Sequence, residues 1–355
     1  MMISASKGFI NQSEKYSTDN AGTSKSKYIH LKKGELAYNH GNSKVKKYGA
    51  VFMLEEENAL VPFVYHCFSL DKKQSSKYWA YYLNTIRHDR YLRKIVCSTA
   101  RLDGLLNISS EDYFKMPVHY PGLEEQNKVT IFLDLIYRKI ELLEAKISIL
   151  KKYKKGIKKI AVKDSINYWK NNSIDAINLG DFLEEIKEYC ENNGTYSHVT
   201  LSKEGIYPKT DRYDRDFLVK TEDKKYRITR LDQLCYNPAN LKFGVICINK
   251  YGKGIFSPIY ITFKIKNIIE DYLELIVTSN DFINYCMKYQ QGTVYERMSV
   301  SVEDFIKIKI VPTNSENQHR LASVSFSLDK KISKLESELL NIQKFKTNLL
   351  SKLFI

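Results

Sequence analysis

Many side chains in this sequence could do chemistry, yet their spacing argues against the common catalysts. Asn237-Pro238-Ala239 begins like the Asn-Pro-Pro-aromatic loop of adenine methyltransferases but lacks the second proline and the aromatic, and no Gly-rich cofactor loop precedes it. There is no G-x-x-x-x-G-K-[ST] loop, and no Asp/Glu/Lys cluster of the nuclease type stands at a strand end. Asp181, Glu184 and Glu185 read instead as the acidic first turn of a helix. The six cysteines (Cys67, Cys97, Cys190, Cys235, Cys247, Cys286) form no C-x-x-C pair, and the seven histidines do not fall at zinc-finger spacing. The expectation is a chain that is not itself an enzyme, with buried free thiols, no metal and no cofactor of its own.

The remaining chemistry is cationic. Lys and Arg number 56 against 41 Asp and Glu, a formal charge of +15, which favours a polyanionic partner through phosphate neutralisation and counterion release. Charge alone does not separate DNA from RNA or an acidic membrane. No apolar run approaches the roughly 18 residues that span a bilayer, and Met1-Met2-Ile3-Ser4-Ala5 lacks a signal-peptide plan, so a cytoplasmic location without membrane attachment is expected. The groups suited to base edges are Arg, Lys, Asn and Gln on loops or helix starts. In the first half these are Asn42, Lys44, Lys46, Lys47, Lys72, Lys73, Gln74 and Arg101; in the second, Lys209, Arg212, Arg215, Asn240, Lys242, Gln290, Gln291 and Arg297. For each one, solvated surface charge is the competing reading. Tyr38 and Tyr236 read as core or turn-packing residues.

The elements that must position these groups are two long helices. From Glu124 to Ile160 apolar residues recur in steps of four and three, with Leu133, Ile136, Ile140, Leu143, Ile147 and Leu150 forming a heptad seam. The pattern returns 192 residues later as Ser325, Leu328, Ile332, Leu335, Leu339 and Ile342, followed by Leu349 in answer to Ile157, with Lys346 standing where Lys154 stands and Gln318 where Gln126 stands. The predicted arrangement is an antiparallel coiled coil within one chain, favoured over association in trans by its high effective concentration. Lys154 and Lys346 interrupt the seam, either fixing register or snorkelling, the second being favoured. The run Lys151 to Lys159 holds six lysines in nine. It reads as a solvated helix face or as a contact for phosphates or an acidic partner.

Around the helices the two halves tell one story. Tyr28-Ile29-His30-Leu31 returns as Tyr226-Arg227-Ile228-Thr229, the Leu36 to Lys44 block as Leu234 to Lys242, and Gly49-Ala50-Val51 as Gly244-Val245-Ile246. Val61-Pro62-Phe63-Val64-Tyr65 answers Ser257-Pro258-Ile259-Tyr260-Ile261. A helical segment is expected from about Lys77 to Val96, and a short strand over Asp112–Val118. The predicted domains are 1–120, a first globular domain; 121–162, the first helix; 163–176, a linker; 177–312, a second globular domain; and 313–355, the second helix. Met1 aligns near Val199, so the first half has no counterpart of about Asn178 to His198, and the first domain is expected to be the less stable.

As a set, these features resemble the specificity subunits of type I restriction-modification systems. The residues that carry the likeness are Pro121-Gly122-Leu123-Glu124-Glu125-Gln126 with its helix, Pro312 to Gln318 with its helix ending Leu349-Leu350-Ser351-Lys352-Leu353-Phe354, the Tyr-Asn-x-x-Asn blocks at Tyr38 and Tyr236, and the opening Leu179-Gly180-Asp181. The likeness implies an α+β fold with two tandem mixed α/β target-recognition domains related by pseudo-twofold symmetry, separated by two long helices packed as an antiparallel coiled coil. It further implies that each domain reads half of a bipartite double-stranded DNA target. The helices then set the gap and dock methyltransferase (modification) subunits, two of them, and a restriction (motor-nuclease) subunit joins the complex. S-adenosylmethionine (AdoMet), ATP and Mg would reside on those partners. A structural or interaction coiled-coil protein with nonspecific nucleic-acid binding is the alternative.

Overall fold

The heptad stretches fold as two long helices, Leu123–Asn172 (α4 in chain order) and Ser315–Leu353 (α8). The computed structural model describes residues 1–5, 7–11, 28–41, 46–96, 106–172, 175–191, 196–209, 225–290 and 299–354, with the backbone alone over 166–172. Among these residues no helix is long and apolar enough to cross a membrane. The chain divides into two units: unit 1 is Met1–Glu144 with Ser337–Ile355, and unit 2 is Ala145–Glu336. Each therefore owns part of both long helices, a division that a linear reading of domain order did not contain. The stretch 163–176, expected as a linker, instead continues α4 as far as Asn172. Its residues include no proline or glycine to stop the helix.

Unit 1 starts with a hairpin of β1 (Met2–Ser4) and β2 (Gly8–Ile10). Two antiparallel groups follow, β3 (Tyr28–Lys32) with β6 (Asn58–Pro62), and β4 (Leu36–Asn39) between β5 (Ala50–Met53) and β7 (His66–Phe68). The helical segment expected over Lys77–Val96 is two helices, α1 (Ser76–Tyr82) and α2 (Ile86–Ile95). Asn84 separates them because its amide is committed elsewhere: Oδ1 accepts from Val51 N, and Nδ2 donates to the carbonyls of Val51 and Ala80. The strand expected over Asp112–Val118 is replaced by α3 (Ser110–Phe114), whose N-cap Ser109 accepts from Asp112 N. This Ser-x-x-Asp start outweighs the β-type look of Tyr-Phe. The main core joins Leu36, Tyr38, Val51, Trp79, Leu92 and Tyr113 to Leu133 of α4 and Phe354 at the chain end.

Unit 2 opens with β8 (Ile177–Asn178), paired with β18 (Lys309–Ile310), and a 3-10 turn at Leu179–Asp181. After β9 (Leu183–Glu185) and β10 (Tyr189–Cys190), β11 (Val199–Ser202) and β12 (Gly205–Pro208) form a hairpin. Strand β13 (Tyr226–Thr229) lies between β10 and β16 (Gly254–Phe256). Strand β14 (Leu234–Tyr236) lies between β15 (Ile246–Ile248) and β17 (Ile261–Ile265), with β9 on the far side of β17. Helices α5 (Glu270–Val277), α6 (Asn280–Cys286) and α7 (Val302–Ile306) complete it. The acidic first turn expected at Asp181, Glu184 and Glu185 is therefore a turn and a strand. Glu185 sits opposite Phe263, pairs with the buried Arg227 at 3.3 Å, and so completes a sheet edge.

The strand registers of the two units correspond. Leu36 faces Met53 and Phe68, as Leu234 faces Ile248 and Phe263, and Ile29 faces Val61, as Arg227 faces Phe256; the pairing thus matches Val61 to Phe256, one residue before the Ser257 with which the sequence repeat aligns it.

Candidate nucleic-acid interface

The turns that carry the candidate base-reading groups are fixed from the core. Tyr38 is fully buried, stacks on Tyr113 with ring centroids 4.4 Å apart, and donates its hydroxyl to the Tyr48 carbonyl at 2.7 Å. In unit 2 Tyr236 stacks on Phe305, also at 4.4 Å, and donates to the Val300 carbonyl. Burial raises both phenol pKa values, so these rings are neutral packing elements and offer no face to a base. Gly49 has φ 85°, and a Cβ there would stand 2.7 Å from Tyr38 Cε2. Only glycine lets that chain pass the ring. Its counterpart Gly244, at φ 78°, closes the 3-10 turn Pro238–Phe243 that Asn237 opens by accepting from Ala239 N.

The predicted residues fall into three groups. Asn42, Lys44, Arg101, Arg212, Arg215, Gln291 and Arg297 lie outside the described residues. Lys46 and Gln74 are engaged internally: Lys46 Nζ donates to the Asn84 carbonyl at 2.9 Å, and its pKa is lowered chiefly by burial. Gln74 Oε1 accepts from Trp79 Nε1 at 3.0 Å and from Gln126 Nε2 at 2.8 Å. The others stand at the surface or in turns. Lys72 and Lys73 are exposed, Lys47 lies over the Tyr48 ring, and Lys209 and Gln290 each donate a backbone N–H, to His198 and Met287 respectively. Asn240 and Lys242 share the Pro238–Phe243 turn, where Lys242 Nζ lies 5.1 Å over the ring of the exposed Phe243. The stem of Lys203 runs beside Gly244. Lys203, Lys242 and Phe243 thus make a basic, aromatic corner on unit 2.

The lysine run of α4 lies well before the helix end at Asn172. Lys151 pairs with Glu336 at 2.7 Å and Lys154 with Asp329 at 2.5 Å, while Arg320 reaches Asp164 at 3.7 Å. These pairs climb α4 as they descend α8, so the two segments in unit 2 are antiparallel. In unit 1 Lys139 pairs with Glu338 at 2.9 Å, and Lys346 Nζ lies 4.6 Å over the Tyr137 ring. Tyr137 and Asp329 are 192 residues apart, as are Lys154 and Lys346. Both seam lysines therefore cross to the neighbouring helix at matching places rather than snorkelling into solvent, the arrangement the sequence favours. Burial also lowers the Lys158 pKa, with Lys154 and Lys203 adding to it and Glu274 and Asp329 opposing.

Of the seam itself, Leu133, Ile136, Ile140, Leu143, Ile147, Ile332 and Leu335 are buried, and Leu150, Leu328, Leu339, Ile342 and Leu349 are half-buried. Two features went unread in the sequence. One is the purpose of the matched glutamines. Gln126 Nε2 donates to the Pro121 carbonyl at 2.8 Å, and its Oε1 accepts from Ser75 N, the N-cap of α1. Gln318 Nε2 likewise donates to the Thr313 carbonyl at 2.8 Å, and its Oε1 accepts from Ile269 N, the N-cap of α5. Each buried amide ties the start of a long helix to the start of a globular-domain helix. The 192-residue match of Gln126 and Gln318 was the available signal. The other feature is a second apolar stripe on α4: Phe132, Leu135, Leu142, Ile149, Tyr153 and Ile160 are all exposed, at near-heptad spacing.

No protein-family model matches the chain, and no curated protein sequence does. Among solved structures the chain resembles the crystal structure of a type I restriction-modification system S subunit from M. genitalium, at 16% identity, covering 93% of this chain and 85% of that one, with a TM-score of 0.60. Looser matches are the HsdS subunit of Thermoanaerobacter tengcongensis (10% identity, 91% and 81% covered, TM-score 0.40) and a structure of type I R-M complex assembly (9% identity, 94% and 84% covered, TM-score 0.44). The first likeness establishes the fold: a mixed α+β chain built on two long helices, shared with that S subunit along most of both lengths.

Proposed function

We propose that this chain is the DNA-specificity subunit of a type I restriction-modification complex. The observation that carries the reading is the S-subunit fold over 93% of the chain, joined to a formal charge of +15. Each unit presents its own turns, held by the buried tyrosine and its stacked aromatic. Arg, Lys, Asn and Gln on such turns have the donors and acceptors that discriminate base pairs in the major groove. Each unit would read one half of a bipartite target, and the long helices would set the gap between the halves. The Lys242–Phe243 corner of unit 2, flanked by Lys203, is the described surface best suited to lie against phosphates.

The proposed partners are methyltransferase subunits, two per complex, and a motor-nuclease subunit. The exposed α4 stripe supports a protein partner, because an apolar row of this length on a charged helix gains free energy when covered. On this reading the chain is non-catalytic and cytoplasmic, and AdoMet, ATP and Mg are bound by the partners. Duplex binding by the chain with its methyltransferase subunit tests the proposal. A preference of at least about a thousandfold for one split sequence is expected, with affinity falling steeply as salt rises. Equal affinity for all duplexes would instead favour nonspecific binding.

A further inference from the structure

Both units repeat one corner at the end of a sheet. In unit 1, β5 and β7 flank β4 antiparallel, so both begin where β4 ends, opposite Asn39 and Tyr38. In unit 2, β15 and β17 begin in the same way opposite Tyr236. Just before β5 stands Lys47-Tyr48-Gly49, and just before β15 stands Lys242-Phe243-Gly244. The glycines have φ 85° and 78°. Lys47 Nζ lies 5.8 Å over the Tyr48 ring, and Lys242 Nζ 5.1 Å over the Phe243 ring. Both lysines are exposed, and among the described residues neither forms an ion pair. Each corner is held from within its unit: Tyr38 donates its hydroxyl to the Tyr48 carbonyl at 2.7 Å, and Gly244 N donates to the carbonyl of the buried Leu241 at 2.8 Å.

The same sheet end carries a second repeated feature. The turns that lead into β7 and β17 are closed by Tyr65 N donating to the Pro62 carbonyl and Tyr260 N donating to the Ser257 carbonyl, both at 3.1 Å. Their central residues are apolar, Phe63-Val64 and Pro258-Ile259, and Phe63 is 60% and Ile259 58% exposed. What precedes each corner is not kept: from Asn39 to Lys47 the chain is three residues longer than from Asn237 to Lys242. A cation and an apolar tip at one sheet end suit the phosphates and sugar faces of a nucleic-acid backbone. An ammonium already resting over a ring loses less rotamer freedom when it meets a phosphate.

Two units that choose separate half-sites must differ where they read bases, and a feature that both hold alike carries nothing that tells the halves apart. Resting on the DNA-specificity proposal above, we infer that Lys47-Tyr48-Gly49 and Lys242-Phe243-Gly244, each with its apolar tip, are sequence-independent grips on the sugar-phosphate backbone of duplex DNA. They set the register of each unit on its half-site and leave base choice to residues that differ between the units. Lys47 and Lys242 thereby leave the set of candidate base readers.

The test uses the full chain assembled with its methyltransferase subunits and two duplexes, one carrying the split motif that the system methylates and one of unrelated sequence. Lys47→Gln and Lys242→Gln should each weaken both duplexes by a similar factor of about three to ten, and each should lower the slope of log affinity against log salt by about 0.9. Lys47→Arg and Lys242→Arg should restore the slope, because the charge is kept. Phe63→Ser and Ile259→Ser should weaken both duplexes alike with the slope unchanged, since an apolar contact releases no counterion. An unchanged slope in either Gln variant overturns the assignment, as does full binding by both Ser variants. A loss confined to the motif-bearing duplex would make the lysines base readers, and loss of the methyltransferase subunits would make the corners protein contacts; either result also overturns it. The specificity proposal fails separately: if the unchanged complex holds both duplexes equally, the chain selects no sequence, and the slopes of the variants still decide the grip. Binding to neither duplex would overturn both.

Discussion

At the scale of single residues, the paired glutamines show how a long helix is fastened to a small domain. Replacing Gln126 by Leu strands Ser75 N–H and the Pro121 carbonyl together. Unfolding measured in denaturant should lose on the order of 2–4 kcal/mol, and Gln318→Leu should lose a similar amount. A loss under about 0.5 kcal/mol for both would mean that the amides bridge nothing of consequence. His88 is a second such residue. It is nearly inaccessible beside Tyr38 and Tyr113, and its Nε2 has no hydrogen-bond partner among the described residues. Burial, with a smaller push from Lys46 and a backbone bond at Leu83 opposing, takes its pKa down to about 4. The unfolded chain binds this proton below about pH 6.5 while the folded chain stays neutral. Stability is therefore full above pH 6.5 and falls between pH 6.5 and 4, by on the order of 3 kcal/mol. Urea unfolding from pH 7.5 to 4.5 should show the fall, and His88→Leu should flatten it; an equal slope in both proteins would assign the effect elsewhere.

At the scale of elements, the seam and the outer stripe of α4 divide its apolar residues between two tasks. Leu143 and Ile147 are buried within the fold, while Leu142 and Ile149 face outwards more than half exposed. Leu142→Asp with Ile149→Asp should leave stability within about 1 kcal/mol, because surface changes remove little packing. The same pair of changes should abolish co-purification with the methyltransferase subunit; undiminished co-purification would place the docking surface elsewhere. The helices were the most legible elements, because a heptad row is a long and redundant signal. Short elements were less so. Asp112–Phe114 carries β-type residues, yet the Ser109 cap makes it helical, and Asn84 breaks a helix through bonds to Val51, far away in sequence. Glu184 and Glu185 have the look of a helix start, but their strand depends on β17 and Arg227, which local pattern cannot see.

At the scale of the whole molecule, Leu36 faces Met53 as Leu234 faces Ile248, in step with the sequence repeat, whereas Val61 and Phe256, the partners of Ile29 and Arg227, are one residue out of step with it. It did not carry the division of each long helix between the units, which depends on where Phe354 and Leu133 meet the first core and where Ile157, Ala161 and Leu321 meet the second. Nor could it separate base-reading groups from structural ones. Gln74 and Lys46 have the chemistry of base readers yet are held internally, and such bonds are invisible to spacing. On the proposed function, two units of one chain each choose half of a DNA target. The most direct measurement is genome-wide methylation sequencing of cells carrying the intact system, beside cells in which residues 177–312 are exchanged for the matching domain of a related subunit. One split adenine-methylated motif should change in one half only, with the other half and the gap kept. A motif that is unchanged, or altered in both halves, would contradict the account.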